Sequence, residues 1–244
     1  HRGESVRLTL VTAHESAKGD GHQARWDLLA RDPHATLVGY MGVSSLPEVA
    51  ARLVDAGMPA STPAALVAQG TTARQRAVVS TLGGLHAAGV AAGIRPPAIF
   101  VIGPTVRHAA ALDWFASRPL AGERLGVFAP AAELGSALDL AGAELLEMQR
   151  PLTPAARVVI GAAPVTGWIL RSAEEVEALE EERATAGWDA EAAAYCLGRA
   201  AASRARALGW RNVVELDGAA DADAVAVAIA DRGPLAALGG ARNA

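Results

Sequence analysis

Cysteine and lysine are almost missing from this 244-residue chain, with Cys196 and Lys18 the single copies of each. One thiol excludes an internal disulfide framework, and a reducing cytoplasm is the simplest compartment. Long apolar runs are missing too. Gly, Pro, Arg or Thr interrupts each one well short of the roughly 18 residues that a membrane span requires, so no membrane partner is expected. Nor is there a surplus of positive charge: the formal net charge is -4, which removes the overall basic field that would point to nucleic acid. No signal peptide or basic amphipathic leader follows His1, a start that fits a trimmed chain or a piece of a longer one. The phosphate loop ending in Gly-Lys-Ser/Thr, the Gly-x-Gly-x-x-Gly turn and the Gly-x-Ser-x-Gly elbow are all absent. The six histidines show no paired ligand spacing, so no metal site is expected. Cys196 reads as a small buried apolar residue rather than a nucleophile.

What is present is the composition of a packed protein. Hydrophobic residues make up 51% and charged residues 20%, which excludes a disordered chain. The length allows one large domain or two small ones. Charge is uneven: residues 1–114 hold 10 basic and 8 acidic side chains and residues 115–244 hold 12 and 18, so the halves carry +2 and -6. Arginine supplies 21 of the 22 basic residues. A GC-rich coding sequence accounts for this, and forked guanidinium groups that grip a polycarboxylate are compatible with it. The polar stretch 116–124, with Pro119 and Gly122, predicts a linker between domains at 1–115 and 125–244.

Apolar runs at Val6–Thr12, Thr36–Met41, Ala64–Ala68 and Ala98–Ile102 read as strands. Ser45 opens a helix with Glu48 as capping-box partner and Pro47 in the first turn. Leu46, Val49, Leu53 and Val54 form its stripe and Gly57 ends it. Thr72 with Gln75 reads as a second capping box, opening a helix striped by Val78, Val79, Leu82 and Leu85. Another helix follows Gly103-Pro104 to about Phe115. In the second half, strands are expected at Leu125–Ala129, Glu144–Glu147, Arg157–Ile160, Trp168–Leu170, Ala194–Leu197 and Val213–Leu216. Helices are expected at Ala131–Leu140, from a Ser172/Glu175 cap to about Arg183, at Ala200–Leu208 and at Asp221–Ala230. This alternation predicts two α/β lobes.

Three turns stand at strand ends: Tyr40-Met41-Gly42, Gln69-Gly70-Thr71-Thr72 and Pro96-Pro97-Ala98. Strand ends are where open α/β sheets take ligands. Gly42 and Gly70 let a flat ring reach the backbone, and Met41 offers a soft apolar wall. His14, just past the first strand, is a loop residue that faces either a ligand or solvent.

The order and spacing of these segments carry a resemblance. His1-Arg2-Gly3, Leu10-Val11-Thr12-Ala13-His14 and Thr36-Leu37-Val38-Gly39-Tyr40-Met41-Gly42 come first. Gln69-Gly70-Thr71-Thr72-Ala73-Arg74-Gln75-Arg76, Pro96-Pro97-Ala98-Ile99-Phe100-Val101-Ile102-Gly103 and Leu112-Asp113-Trp114-Phe115 follow. Through them residues 1–115 resemble the C-terminal half of the uroporphyrinogen-III C-methyltransferases, within the tetrapyrrole methylase family. The resemblance implies an S-adenosyl-L-methionine enzyme that methylates uroporphyrinogen III to precorrin-2, toward sirohaem and cobalamin, as a homodimer. It places Met41, Gly70, Pro97 and Ala98 around the cofactor adenosine and Arg2 near the substrate's carboxylates, and it identifies no catalytic residue. The family's N-terminal domain, the other wall of its cofactor cleft, has no counterpart in this sequence. The chain alone is therefore expected to methylate little or nothing.

Residues 124–232 resemble one lobe of uroporphyrinogen-III synthase, through Trp168-Ile169-Leu170-Arg171-Ser172 and Cys196-Leu197-Gly198-Arg199-Ala200. Arg171 and Ala201 stand where that family has threonines, and a single lobe encloses no cleft. Three functions follow from the two resemblances: a methyltransferase portion of a longer tetrapyrrole enzyme, a ring-closing synthase, or a second lobe that serves only in assembly.

Overall fold

The structure is a computed structural model that describes residues 3–13, 24–162, 165–186, 191–218 and 220–232. The chain divides into two compact units, His1–Asp113 and Trp114–Ala244. Each holds its own five-stranded sheet, so both are α/β.

The first unit runs β1 (Arg7–Thr12), α1 (Trp26–Leu29), β2 (Ala35–Tyr40), α2 (Leu46–Asp55), β3 (Pro63–Ala68), β4 (Arg76–Thr81), α3 (Leu85–Ala91) and β5 (Ala98–Ile102). A 3-10 turn (Pro104–His108) and α4 (Ala109–Leu112) follow. The sheet order is β1-β2-β5-β3-β4. β1 and β2 are parallel and the remaining pairs antiparallel. Register puts Val11, Gly39, Phe100, Leu66 and Val78 in one row across the sheet. Phe100 and Leu66 are buried there with Trp26, Leu46, Val49, Leu53 and Leu85 from the helices. Side chains alternate faces along a strand, so the next row, Thr12, Tyr40, Ile99, Val67 and Ala77, lies on the opposite face. Gly39 leaves room for the ring of its partner Phe100: a Cβ there would fall inside that ring.

The second unit runs β6 (Arg124–Phe128), α5 (Ala132–Ala141), β7 (Glu144–Met148), α6 (Pro154–Ala162), β8 (Gly167–Leu170), α7 (Ala173–Ala186), β9 (Ala193–Leu197), α8 (Arg199–Ala207), β10 (Val213–Leu216) and α9 (Ala222–Ala230). All five strands are parallel, in the order β10-β9-β8-β6-β7. Both faces are covered. Trp168, Leu170 and Cys196 pack with Val176 and Leu179 of α7 and Ala202 of α8. Ile169 and Tyr195 point the other way, to Leu138 of α5 and Val225 and Ile229 of α9. Burial on two sides explains why Leu125–Phe128, Trp168–Leu170 and Ala193–Leu197 read as unbroken apolar runs.

Four expectations are corrected. Residues 76–81 form β4, a strand, and the helix begins only at Leu85. The β-branched Val78 and Val79 pair with β3, and that long-range ladder overrides the helical spacing of the stripe. Arg157–Ile160 lies inside α6, not in a strand. The Thr153 hydroxyl caps its start by accepting from Ala156 N at 3.2 Å, and a short apolar run does not by itself distinguish strand from helix. The Ser45 hydroxyl does not cap α2 but donates to Ala13 O at 2.8 Å, while Glu48 pairs with Arg52 at 2.7 Å. The stretch 116–124 is not a free linker. Leu120 is buried in the second unit's core and its N–H donates to Ala141 O at 2.8 Å. Among the described residues no helix is long and apolar enough to cross a membrane.

Candidate functional site

β2 and β3 both run antiparallel to β5, which lies between them. The C-terminal ends of β2 and β3 and the start of β5 therefore meet at one edge of the sheet. The turn after β2 carries Met41, the turn after β3 carries Gln69 and Gly70, and Pro96 and Pro97 lead into Ala98 of β5. These segments surround a recess of about 960 Å³, lined among others by Met41, Gly70, Pro97 and Ala98. Its floor is a register-matched row on the face opposite the helices: Tyr40, Ile99 and Val67. Val43 and Ser44 extend one wall and Thr72 the other.

Among the described residues, the lining of the recess carries no carboxylate, imidazole, ammonium or guanidinium group. Its polarity comes from backbone, the Gln69 amide and three hydroxyls, a surface suited to a flat, uncharged ring and unsuited to acid–base work. Its backbone is unusual. Met41 (φ 55°), Gln69 (φ 51°) and Thr71 (φ 65°) are the non-glycine residues with positive φ among the described residues. All three stand in the two turns that border the recess. Left-handed backbone at such residues costs on the order of 1 kcal/mol each and persists where surrounding structure over-determines it, commonly at ligand sites.

Gly42 and Gly70 differ in their reasons. A Cβ on Gly42 would stand 2.5 Å from Phe100 Cε1 and 2.8 Å from Ala13 Cβ, so packing demands glycine. A Cβ on Gly70 would meet nothing nearer than Val67 Cγ1 at 3.7 Å and Gln75 Oε1 at 3.8 Å. Neither packing nor backbone requires a glycine at 70; its missing side chain keeps the recess open. A second hollow, about 280 Å³, shares Ser44 and is lined by Ala13, Trp26, Glu48 and Arg52.

Arg2 and His14 lie outside the described residues. Cys196 is fully buried, and burial pushes its thiol up to about 11. The folded chain is expected to resist thiol-directed reagents at pH 8 and to react once unfolded. Labelling of the native protein within minutes would contradict this. Among the described residues no group of His, Cys, Asp and Glu side chains is placed to hold a metal ion.

In the second unit the strand order reverses between β6 and β8, the place where doubly wound sheets take ligands. Arg171 occupies it. Its guanidinium donates to Phe128 O at 2.7 Å and Pro130 O at 2.6 Å on the β6 side, and its Nε donates to Glu175 Oε1 at 2.9 Å. Glu175 Oε2 in turn accepts from Arg171 N at 2.7 Å.

Sequence reading singled out the turn residues and missed the floor. Ile99 belongs to the Pro96–Gly103 segment and Val67 to none of the segments that carry the resemblance, and only strand register brings both beside Tyr40.

No family model matches the chain. Among curated proteins, Siroheme synthase of Methylobacillus flagellatus is 40% identical over 119 residues, which is 49% of this chain and 25% of that protein. Siroheme synthase of Chromobacterium violaceum is 42% identical over 116 residues, 47% of this chain and 24% of that protein. Among solved structures, uroporphyrin-III C-methyl transferase from Thermus thermophilus complexed with S-adenyl homocysteine is 31% identical, with a TM-score of 0.35 over 44% of this chain and 46% of that one. A cobalt precorrin-4 methyltransferase is 21% identical, with a TM-score of 0.39 over 43% of each chain. About half of this chain is thus similar in sequence to siroheme synthases, of whose length it spans about a quarter.

Proposed function

We propose that the first unit supplies one wall of an S-adenosyl-L-methionine site in a tetrapyrrole methyltransferase acting on uroporphyrinogen III. The observation that carries this reading is the convergence of Met41, Gly70, Pro97 and Ala98, from three separate segments, on one recess whose described lining is uncharged. The similarity to siroheme synthases supports the tetrapyrrole class.

The residues present fit the cofactor's adenosine. The described lining is largely apolar and uncharged, Gly70 holds back its wall without structural need, and the turns at Met41 and Gly70 carry left-handed backbone. The cofactor supplies the transferable methyl on its sulfonium. The chain's own part is to hold the adenosine flat against Tyr40, Ile99 and Val67, to fix its edge by backbone hydrogen bonds, and to keep water from that face. None of the described lining residues is a carboxylate, imidazole or amine, which suits a reaction governed by alignment.

A titration of the ¹⁵N-labelled chain with S-adenosylhomocysteine tests the reading. Amide shifts are expected at Met41, Gly70 and Ala98, with a dissociation constant roughly in the millimolar range, because one wall gives part of the contact area at the full entropic penalty. Gly70→Ala is expected to melt within about 2 °C of the native chain yet to lose most of the shift. Shifts confined to other surfaces, or unchanged binding by the glycine variant, would overturn the assignment.

For the second unit we infer a non-catalytic, assembly role rather than synthase chemistry. The specific observation is Arg171, whose guanidinium is committed at the switch point to the Phe128 and Pro130 carbonyls and to Glu175, bonds that a ligand there would have to displace.

A further inference from the structure

We propose that Gln75 is a positioning residue whose side-chain carbonyl holds the Gly70 turn in its ligand-ready shape; this rests on the recess being the cofactor wall. Gln75 is absent from the lining of the recess. It stands immediately before β4, whose first residue Arg76 pairs with Ala68 at the end of β3. Its Oε1 accepts from Thr71 N at 2.8 Å. That amide belongs to a β-branched residue held at φ 65°, next but one to Gln69 at φ 51°. Two left-handed side-chain-bearing residues flanking a glycine would relax toward ordinary backbone if nothing opposed them.

Three further bonds close the cage. The Thr72 hydroxyl donates to Gln69 O at 2.9 Å, Gln75 N donates to Thr72 O at 3.0 Å, and Gln69 N donates to Pro97 O at 3.0 Å. The last bond ties the Gly70 turn to the segment leading into β5, so both sides of the recess move together. Gln75 is the one side chain in this cage that reaches the amide of the strained Thr71. Thr72 and Gln75, spaced like a capping box, thus build a turn instead of starting a helix.

The test separates positioning from plain stabilisation. Gln75→Leu removes the acceptor at similar size, and Gln75→Glu keeps an acceptor oxygen. The leucine variant is expected to weaken S-adenosylhomocysteine binding about tenfold and to speed hydrogen exchange at the Thr71 amide by a similar factor, while Gln75→Glu stays within about threefold of native. Adding Thr71→Gly to Gln75→Leu should restore binding, because glycine adopts the left-handed conformation without help. A leucine variant that binds like the native chain with Thr71 still protected would overturn the proposal, as would a double variant as weak as Gln75→Leu. If the native chain binds no cofactor analogue, the reading of the recess falls, while Thr71 exchange still decides the role of Gln75 in the turn.

Discussion

Gly39→Ala is expected to unfold the first unit at temperatures where the native chain is folded. The added methyl would lie within the Phe100 ring, its neighbour in register. The ring has no free direction. Phe100 is 1% exposed, and it also lies under Gly42, where a methyl group would meet it at 2.5 Å. Overpacked cores lose about 1–3 kcal/mol when neighbours can shift, and a clash against a ring held on two sides should exceed 3 kcal/mol, roughly 10 °C or more in midpoint for a unit of this size. Thermal unfolding followed by circular dichroism checks this. A midpoint within about 3 °C of native would show that the ring moves freely. Phe100→Leu in the same chain should recover part of the loss, since two residues in contact do not add.

Arg171→Ala carries the largest expected effect in the second unit. One guanidinium joins the carbonyls of Phe128, the last residue of β6, and of Pro130 to a carboxylate on α7, and the Glu175 side chain is only 14% exposed. Removing the cation leaves that carboxylate with the Arg171 N–H and strips Phe128 and Pro130 of a donor. Arg171 itself is about one-third exposed, which screens the pair, so the loss is expected near 2–3 kcal/mol, below that of a fully buried pair. Because two units need not unfold together, the loss should be read from hydrogen exchange of the β6 and β8 amides. Exchange should rise more than tenfold there and stay unchanged in β2 and β5. Arg171→Ala with Glu175→Ala should cost less than the sum of the two, and strict additivity would show that the ion pair does not couple the loops.

Glycine and proline after apolar runs made three sides of the recess legible, because Met41, Gly70 and Pro97-Ala98 each end or start a strand that hydropathy alone marks. The floor was not legible. Tyr40, Ile99 and Val67 become neighbours only once β5 inserts between β2 and β3, and nothing local to those residues states that order. The misread helix over residues 72–85 has a related cause. Val78, Val79, Leu82 and Leu85 do have helical spacing, and Thr72 and Gln75 do have capping spacing; the ladder to β3 decides the outcome, and it lies outside the window in which either pattern is seen. In the second unit Trp168–Leu170 and Ala194–Leu197 were plain because strands buried on both faces need no periodicity. Arg157–Ile160 was ambiguous for the same reason.

The back-to-back placement of the Phe100–Leu66 row and the Tyr40–Ile99–Val67 row separates two kinds of selection. Changes at 40, 67 and 99 remodel what the recess can hold without disturbing the helix-covered side, whereas changes at 39, 66 and 100 threaten the whole unit. Such a sheet can drift toward new ligands one residue at a time while its foundation stays put.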